Sequence, residues 1–170
     1  MLFNQNAERV ARSLLGSVVV RTIGNNKLVA RIVETEAYFG SEDPASRACQ
    51  NGDLRATMKM NAGTILVYGV HNNWLLNIVT GKKGKAEAVL IRAVEPLNFS
   101  GRCSGPGLLT GALKIDKNFH KKNILKNKEL KILRKNQDFE IKKSFRIGVR
   151  EDLSRPLRFY IKDNKFVSRK

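Results

Sequence analysis

The alternation of hydrophobic and polar residues predicts a short helix and then a β-hairpin in the first part of the chain. From Asn6 to Leu14 the apolar residues recur at the spacing of one helix face, with Asn6 in the N-cap position and Gly16 after the last turn. Residues 17–23 and 27–38 are rich in β-branched residues and flank a Gly-Asn-Asn turn, which is typical of two paired strands. The second of these strands carries the candidate chemistry.

The rest of the chain continues this alternation of strands and short helices. The further predicted elements are strands at residues 64–70, 74–79, 86–94, 144–149 and 157–161, and a short helix at 108–113 after a glycine-rich turn. Residues 40–62 show little periodicity, and a loop of that length is usually functional. Residues 116–144 are rich in Lys and Asn and predict a surface excursion with one short anchoring strand. No repeat or linker divides the chain, so we expect a single domain over residues 1–170, an α/β fold of the α+β type with a mixed, mostly antiparallel curved β-sheet flanked by short helices.

The composition narrows the class of protein. A chain of 170 residues with 42% hydrophobic residues forms one domain with a substantial core, which argues against intrinsic disorder. No segment reaches the ~18 uncharged apolar residues of a membrane helix, and the N-terminus lacks a secretory signal. We therefore expect a soluble intracellular protein of the cytoplasm or nucleoid, or of the nucleus in a eukaryote. Cys49 and Cys103 lie far apart without a CxxC or a His/Cys cluster, which argues against a disulfide scaffold, a zinc module and a bound metal.

The charge balance points to a polyanionic partner. The chain has 32 Lys+Arg against 15 Asp+Glu, a formal charge of +17, and such a field favours nucleic acid through neutralisation of phosphates and release of counterions. Residues 1–100 hold 12 basic and 8 acidic residues, whereas residues 101–170 hold 20 and 7. The positive charge is therefore concentrated in the C-terminal part. The alternative is a Lys-rich solvated surface that reflects composition alone.

The strand that ends at Tyr38 combines two carboxylates with an aromatic ring. Because side chains alternate along a strand, Glu34, Glu36 and Tyr38 share one face. In so basic a protein, a carboxylate beside a tyrosine at a strand end suggests a general base next to a ring that stacks on a nucleobase. The alternative is that Glu34 and Glu36 only pair with neighbouring arginines.

Residues 31–43 resemble the signature strand of the alkyladenine (3-methyladenine) DNA glycosylase family. Further segments resemble that family in the same order along the chain: Ala62-Gly63-Thr64, Val67 to His71, Leu76-Asn77-Ile78, Leu90 to Pro96, Ser104 to Gly107, Arg146 to Val149 and Arg155 to Tyr160. Together these segments span almost the whole chain. The agreement of many segments in order makes catalysis the favoured interpretation of Glu36.

The resemblance implies a monofunctional enzyme that removes alkylated or deaminated purines from duplex DNA by hydrolysing the N-glycosidic bond. The implied substrates are of the 3-methyladenine, 7-methylguanine, hypoxanthine and ethenoadenine class. The enzyme would bind double-stranded DNA at the minor groove and flip the damaged purine nucleotide into a pocket. It would leave an abasic site without lyase activity, metal or cofactor. We expect it to act as a monomer, without a membrane partner.

Two residues match the catalytic residues of that family. Glu36 matches the general base, which deprotonates the attacking water and stabilises the cationic sugar. Arg92 matches the arginine that helps to position the water and a phosphate. For Arg92 the alternative is a structural ion pair with Glu34 or Glu95.

Other residues match positions that contact the flipped base or fill the space that it leaves. Tyr38 matches a ring that stacks on the base, and Asn77 matches an asparagine near it, with the satisfaction of strand backbone groups as the alternative. Tyr68 matches either a second stacking tyrosine or the wedge that enters the duplex, and it cannot fill both places. Val70 or His71 then completes the wedge. A plain core residue is the alternative for Tyr68, and a histidine without a role is the alternative for His71.

Two positions depart from the family pattern. Arg47 stands where the family usually has a histidine beside the base, and a guanidinium there opposes binding of a cationic base. Arg47 therefore turns to a phosphate, Glu42 or Asp43, or the pocket favours neutral lesions such as hypoxanthine. Leu108 stands where a lysine is common, which removes one phosphate contact. The helix start at Gly107 can still bind a phosphate.

Two other functions compete with the glycosylase. One is a non-enzymatic basic nucleic-acid-binding protein in which Glu34 and Glu36 are structural. The other is a magnesium-dependent nuclease that uses Glu34, Glu36, Glu42 and Asp43 as hard oxygen ligands. A chelator and a Glu36→Gln variant distinguish the three functions.

Overall fold

The computed structural model describes residues 2–135 and 138–169 and builds them around one β-sheet. Its eight strands are β1 (Val18–Ile23), β2 (Asn26–Tyr38), β3 (Ile65–Val70), β4 (Asn73–Val79), β5 (Ala88–Pro96), β6 (Leu130–Leu133), β7 (Ile141–Ser144) and β8 (Arg158–Ile161). The helices are α1 (Ala7–Leu14), α2 (Asp53–Met58) and α3 (Pro106–Ala112), with 3-10 turns at Leu2–Asn4, Arg47–Cys49 and Lys117–Phe119. No helix within these two ranges is long and apolar enough to cross a membrane.

The strands are arranged in the order β3-β4-β5-β2-β1-β6, and β8 pairs with both β2 and β7. Every strand pairing in the described part of the chain is antiparallel. A curved, antiparallel sheet with a few short helices confirms the predicted α+β class. The strand predicted to anchor the Lys-rich excursion is also present, since β6 pairs with β1 at the sheet edge.

β2 is central to the sheet because it pairs with three other strands. One edge pairs with β5, and the other pairs first with β1 and then, over Glu34 to Glu36, with β8. Register shifts interrupt the β2–β5 ladder on both sides of Glu34 and leave Val33 and Arg92 without a Cα partner. Such bulges re-aim side chains, and this one lies at the residues that carry the candidate chemistry.

The predicted helix and hairpin at the start of the chain are confirmed as α1 and the β1–β2 pair. Asn6 caps α1 by accepting the Arg9 N–H at 2.9 Å, and the apolar face of α1 is buried against the sheet. The Thr35 hydroxyl donates to the Ala11 carbonyl at 2.9 Å. This bond ties α1 to the strand segment that carries Glu36.

Two predicted elements differ from the structure. The segment 40–62 is not only loop, because it contains α2 and a 3-10 turn, each too short to produce a visible period. The predicted strand over 144–149 is wrong, since β7 ends at Ser144. Residues beyond it leave the ladder because the Arg146 side chain is buried between Asp43 and Asp152, and that contact requires a loop.

Candidate active site

A cavity of about 690 Å³ opens at the end of β2, between the β3–β4 hairpin, the 3-10 turn after Asp43 and the loop of residues 145–152. Its size lies in the range of small-molecule sites. The lining includes six residues singled out from the sequence: Tyr38, Arg47, Tyr68, Val70, His71 and Arg92. The fold therefore gathers residues from four separate segments around one space.

Glu36 does not itself line this cavity, because its side chain is fully buried, but it contacts three residues that do: Tyr38, Arg92 and Ile147. One carboxylate oxygen accepts the Tyr38 hydroxyl at 2.7 Å, and the other accepts the backbone N–H of Ile147 at 2.8 Å. Arg92 Nη1 lies 3.4 Å from Oε1 of Glu36. Burial raises the pKa of Glu36, while Arg92, the Ile147 N–H and the Tyr38 hydroxyl counteract part of that rise. The predicted common face of Glu36 and Tyr38 is confirmed.

Arg92 faces both carboxylates of β2. Its Nε lies 3.2 Å from Oε1 of Glu34 without hydrogen-bond geometry, and Nη1 also donates to the carbonyl of Ile147 at 3.5 Å. Glu95, the other proposed partner, pairs instead with Arg31 at 3.1 Å. Arg92 thus combines the ion pair to Glu34 that was the alternative interpretation with a contact to Glu36.

Glu34 is occupied by structural partners. Its carboxylate accepts Arg158 Nε at 2.6 Å and the backbone N–H of Ser168 at 2.7 Å. The interpretation of a carboxylate that only pairs with arginine therefore fits Glu34. It does not describe Glu36, whose partners are a phenol, a backbone amide and an arginine at the cavity.

Tyr38 forms one wall of the cavity and lies over a cation. The guanidinium carbon of Arg146 is 4.6 Å from the centre of the Tyr38 ring. Burial raises the pKa of the Tyr38 hydroxyl well above its ordinary value, and the nearby charge of Glu36 raises it further. Tyr38 therefore stays a neutral phenol and donates to Glu36.

Tyr68 and Arg47 also line the cavity, whereas Asn77 does not. The guanidinium carbon of Arg47 lies 5.1 Å from the centre of the Tyr68 ring, and these residues line a narrow gap of about 10 Å³ together with Asn77. Asn77 donates to the Leu66 carbonyl at 3.2 Å, so it also satisfies the strand backbone. Asp43, one of the partners considered for Arg47, is bound by Arg146 instead.

The tip of the β3–β4 hairpin projects beyond Tyr68. His71 and Asn72 form its two-residue turn with φ of 47° and 61°, which is the left-handed geometry of a tight hairpin turn, and both are exposed. Val70 is partly buried on the cavity side. Tyr68 lies two residues deeper, so Val70 and His71 are the candidates at the tip.

Gly107 supports this hairpin from α3. A Cβ at Gly107 would lie 2.7 Å from both Cβ and Cγ of Asn73, which only a glycine avoids. The Thr110 hydroxyl of the same helix donates to the Trp74 carbonyl at 2.7 Å. Contact of Gly107 with DNA remains a prediction, and its observed contact is with the hairpin.

Sequence reasoning missed Arg146 and Ile147 as parts of the site. The Arg146 side chain has no exposed surface, and it bonds Asp43, Asp152 and the Ala37 carbonyl. Ile147 acts through its backbone N–H, which no side-chain pattern reveals. The one indication in the sequence was that residues 146–149 match the family pattern, but this match assigned no function to Arg146 or Ile147.

The acidic residues considered as magnesium ligands do not converge. Within residues 2–135 and 138–169, no group of three or more His, Cys, Asp or Glu side chains is arranged to hold a metal ion. Glu34, Glu36 and Asp43 each face an arginine. The geometry therefore offers no support for the nuclease alternative.

Comparison with known proteins identifies relatives of this chain. Residues 1–165 match the family model described as methylpurine-DNA glycosylase (MPG). A relative from Borrelia garinii subsp. bavariensis, named "Putative 3-methyladenine DNA glycosylase", is 41% identical over 186 residues, covering 99% of this chain and 97% of the relative.

Relatives with the same name are found in other organisms. One from Aeropyrum pernix is 40% identical over 168 residues, covering 94% of this chain and 87% of its own length. One from Legionella pneumophila strain Paris is 37% identical over 177 residues, covering 98% and 95%. The chain belongs to the methylpurine-DNA glycosylase family.

Proposed function

We propose that this protein flips an alkylated or deaminated purine nucleotide out of duplex DNA into the cavity and hydrolyses its N-glycosidic bond, with water activated by Glu36. The observation that carries the proposal is the buried Glu36 carboxylate, which is held by three residues of the cavity lining, Tyr38, Ile147 and Arg92. Family membership supports the coarser function, excision of altered bases from DNA.

The reaction follows from the charge and the position of Glu36. Water attacks C1′ of the flipped sugar while the bond from C1′ to the base nitrogen breaks, and the bonding electrons leave with the base. Glu36 takes the proton of the water as the new C–O bond forms. The negative charge of the carboxylate also stabilises the positive, oxocarbenium-like charge that develops on the sugar as its bond to the base breaks. Arg92, which faces Glu36 and the Ile147 carbonyl, orients the water.

The aromatic walls bind the extruded base. Tyr38 and Tyr68 line the cavity with their rings, and stacking on such rings accepts any purine face. Flipping costs a few kcal/mol, least for a damaged and weakly paired base. Val70 and His71 at the hairpin tip fill the space in the duplex that the base leaves, while Tyr68 serves as a wall rather than as the wedge.

Arg47 biases this cavity towards neutral lesions. Its guanidinium lies over Tyr68 on the same wall that receives the base, and Asp43 is already bound by Arg146. A fixed positive charge beside the base repels cationic N-alkylated purines and is compatible with neutral ones such as hypoxanthine. The preferred substrates are therefore neutral purine lesions.

The product is an abasic site in an uncut strand. Strand cleavage by a glycosylase requires an amine that forms a Schiff base with the sugar. The described cavity lining contains arginines but no lysine, which supports a water nucleophile. The net charge of +17 supports binding of the duplex through its phosphates, and we propose that the enzyme acts as a monomer from the minor groove.

Base release from short duplexes, each with a single lesion, tests this function. We expect free base to be released in the presence of EDTA, with strand breaks only after alkali treatment. A nuclease would lose its activity in EDTA and would cut the strand directly. A non-enzymatic binder would release no base from any lesion.

A further inference from the structure

Arg146 is a buried cation held between two carboxylates. Its Nη1 and Nη2 each donate to one oxygen of Asp43 at 2.7 Å, and Nη2 and Nε donate to Asp152 Oδ1 at 2.6 and 2.9 Å. A buried ion cluster of this kind contributes little net stability, because the desolvation of its charges offsets their attraction. We therefore look for a role of these hydrogen bonds in the active site rather than in stability.

The same guanidinium connects three parts of the active site. Nη1 donates to the carbonyl of Ala37 at 2.9 Å, directly after Glu36, and the guanidinium lies under the ring of Tyr38. The next residue in the chain, Ile147, donates its N–H to Glu36 at 2.8 Å. A single side chain thus fixes the end of β2, the aromatic wall and the backbone donor to the carboxylate.

The loop is also closed on itself around Asp152. Asp152 Oδ2 accepts the backbone N–H of Arg146 at 3.0 Å, and Oδ1 accepts the backbone N–H of Leu153 at 2.8 Å. The loop of residues 145–152 is therefore anchored at both of its ends by one carboxylate. Movement of Arg146 would displace Ile147, because the two are adjacent.

We propose that Arg146 is a positioning residue for the excision reaction: clamped by Asp43 and Asp152, it holds the loop so that the Ile147 N–H meets Glu36 and the Tyr38 ring keeps its plane. This inference rests on the proposed function of Glu36 as the general base. Arg146 itself contacts neither the carboxylate of Glu36 nor any reacting atom.

The electrostatic surroundings of Glu36 define a readout for this role. Four titratable or charged side chains act on Glu36: Glu34 and Tyr38 on β2, Tyr68 on β3 and Arg92 on β5. Arg158 on β8 acts indirectly, because it pairs with Glu34. Burial raises the pKa of Glu36, and the Ile147 N–H is one of the groups that lower it. Loss of that donor raises the pKa further, so Glu36 is ionised only at higher pH.

The test is the pH dependence of single-turnover base release by the full chain carrying Arg146→Lys. Lysine keeps the charge but loses the planar fork that binds two carboxylates. We expect the maximal rate to fall about tenfold and the acidic limb of the profile to move up by about one pH unit, the value of one hydrogen bond to a charged group. Asp152→Asn should move the limb in the same direction by a smaller amount.

Arg31→Lys is the matched control. Arg31 lies on β2 and pairs with Glu95 at 3.1 Å away from the cavity, so this variant alters an arginine ion pair of the same strand without a change at Glu36. Its acidic limb should coincide with that of the wild type.

Two results would overturn the proposal. One is a rate that falls equally at every pH in Arg146→Lys, which indicates only fewer folded molecules. The other is an unchanged limb in Asp152→Asn, which decides the question if Arg146→Lys fails to fold. NMR titration of the Glu36 carboxyl carbon measures the same shift without turnover. If the wild type released no base, the proposed function would be refuted. The NMR titration would still show whether Arg146 influences the protonation of Glu36.

Discussion

The Tyr38 hydroxyl donates a 2.7 Å hydrogen bond to the Glu36 carboxylate two residues before it on β2. The side chain that forms a wall of the cavity is thus bonded to the one that we assign as general base. A base stacked on Tyr38 is therefore held at a fixed distance from Glu36. This coupling predicts that removal of the hydroxyl affects the protonation of Glu36 as well as binding.

Tyr38→Phe should lower the single-turnover rate and move its acidic limb to higher pH. The phenol is one of the groups that counteract the rise in the pKa of Glu36 caused by burial, so its loss leaves the carboxylate protonated to a higher pH. We expect a shift of about one pH unit, because one hydrogen bond to a charged group is removed. Since the ring remains, the affinity for damaged duplex should change less than about threefold, which corresponds to about 0.7 kcal/mol.

Tyr160→Phe is the control for that experiment. The ring of Tyr160 packs on Arg158 and does not line the cavity. Its pH profile should match the wild type. If the acidic limbs of the Tyr38→Phe and wild-type rate profiles coincided, the Tyr38 hydroxyl would have no influence on the protonation of Glu36.

Arg47→Gln should raise the excision of 7-methylguanine relative to hypoxanthine by about tenfold, because removal of a nearby positive charge favours a cationic base by about 1 to 2 kcal/mol. Competition between the two lesions in one reaction measures this ratio. Arg9→Gln is the matched control, because Arg9 is exposed and does not line the cavity while its loss lowers the net charge equally. An unchanged ratio in Arg47→Gln would mean that Arg47 does not select the base.

Gly107→Ala should destabilise the fold near the hairpin. The new methyl would lie 2.7 Å from Cβ of Asn73, an atom fixed to the backbone, and overpacking of this kind costs about 1–3 kcal/mol. Gly111 lies on the same helix, and a Cβ added there would meet no neighbouring atom within 4 Å, so Gly111→Ala should instead stabilise by about 0.5–1 kcal/mol. Urea unfolding of both variants measures the difference. Equal stabilities would contradict the close approach of α3 to β4.

Glu36→Gln should gain stability relative to the wild type as the pH rises. The folded-state pKa of Glu36 is raised by burial above its ordinary value, so ionisation of Glu36 destabilises the native state. Below the unfolded-state pKa the carboxyl is protonated in both states and carries no penalty, whereas above the folded-state pKa the penalty is complete. The difference in Tm between variant and wild type should therefore be larger at neutral pH than in acid. A difference that is independent of pH would contradict a raised pKa.

Local patterns predicted much of the fold. α1 has a capping Asn6 and a regular apolar face, and β1 and β2 flank a turn, so short-range physics decides these elements. The common face of Glu36 and Tyr38 also follows from alternation alone. What the sequence could not show is the double register shift beside Glu34, because it depends on the pairing of β2 with β5.

The missing parts of the site depend on contacts between distant residues. The bond between Arg146 and Asp43 joins residues 103 positions apart. Because of this contact, the residues around Ile147 form a loop where the local pattern predicted a strand. The backbone N–H of Ile147 contributes to the site only through that loop. Such contributions follow from tertiary packing, which overrides a local preference for strand.

The most direct test of the central claim compares base release and duplex binding by Glu36→Gln and the wild type in the presence of EDTA. We predict that Glu36→Gln binds damaged duplex as tightly as the wild type and releases base about 100- to 10,000-fold more slowly, the usual contribution of a general base. Release by Glu36→Gln at the wild-type rate would show that this carboxylate does not activate the water.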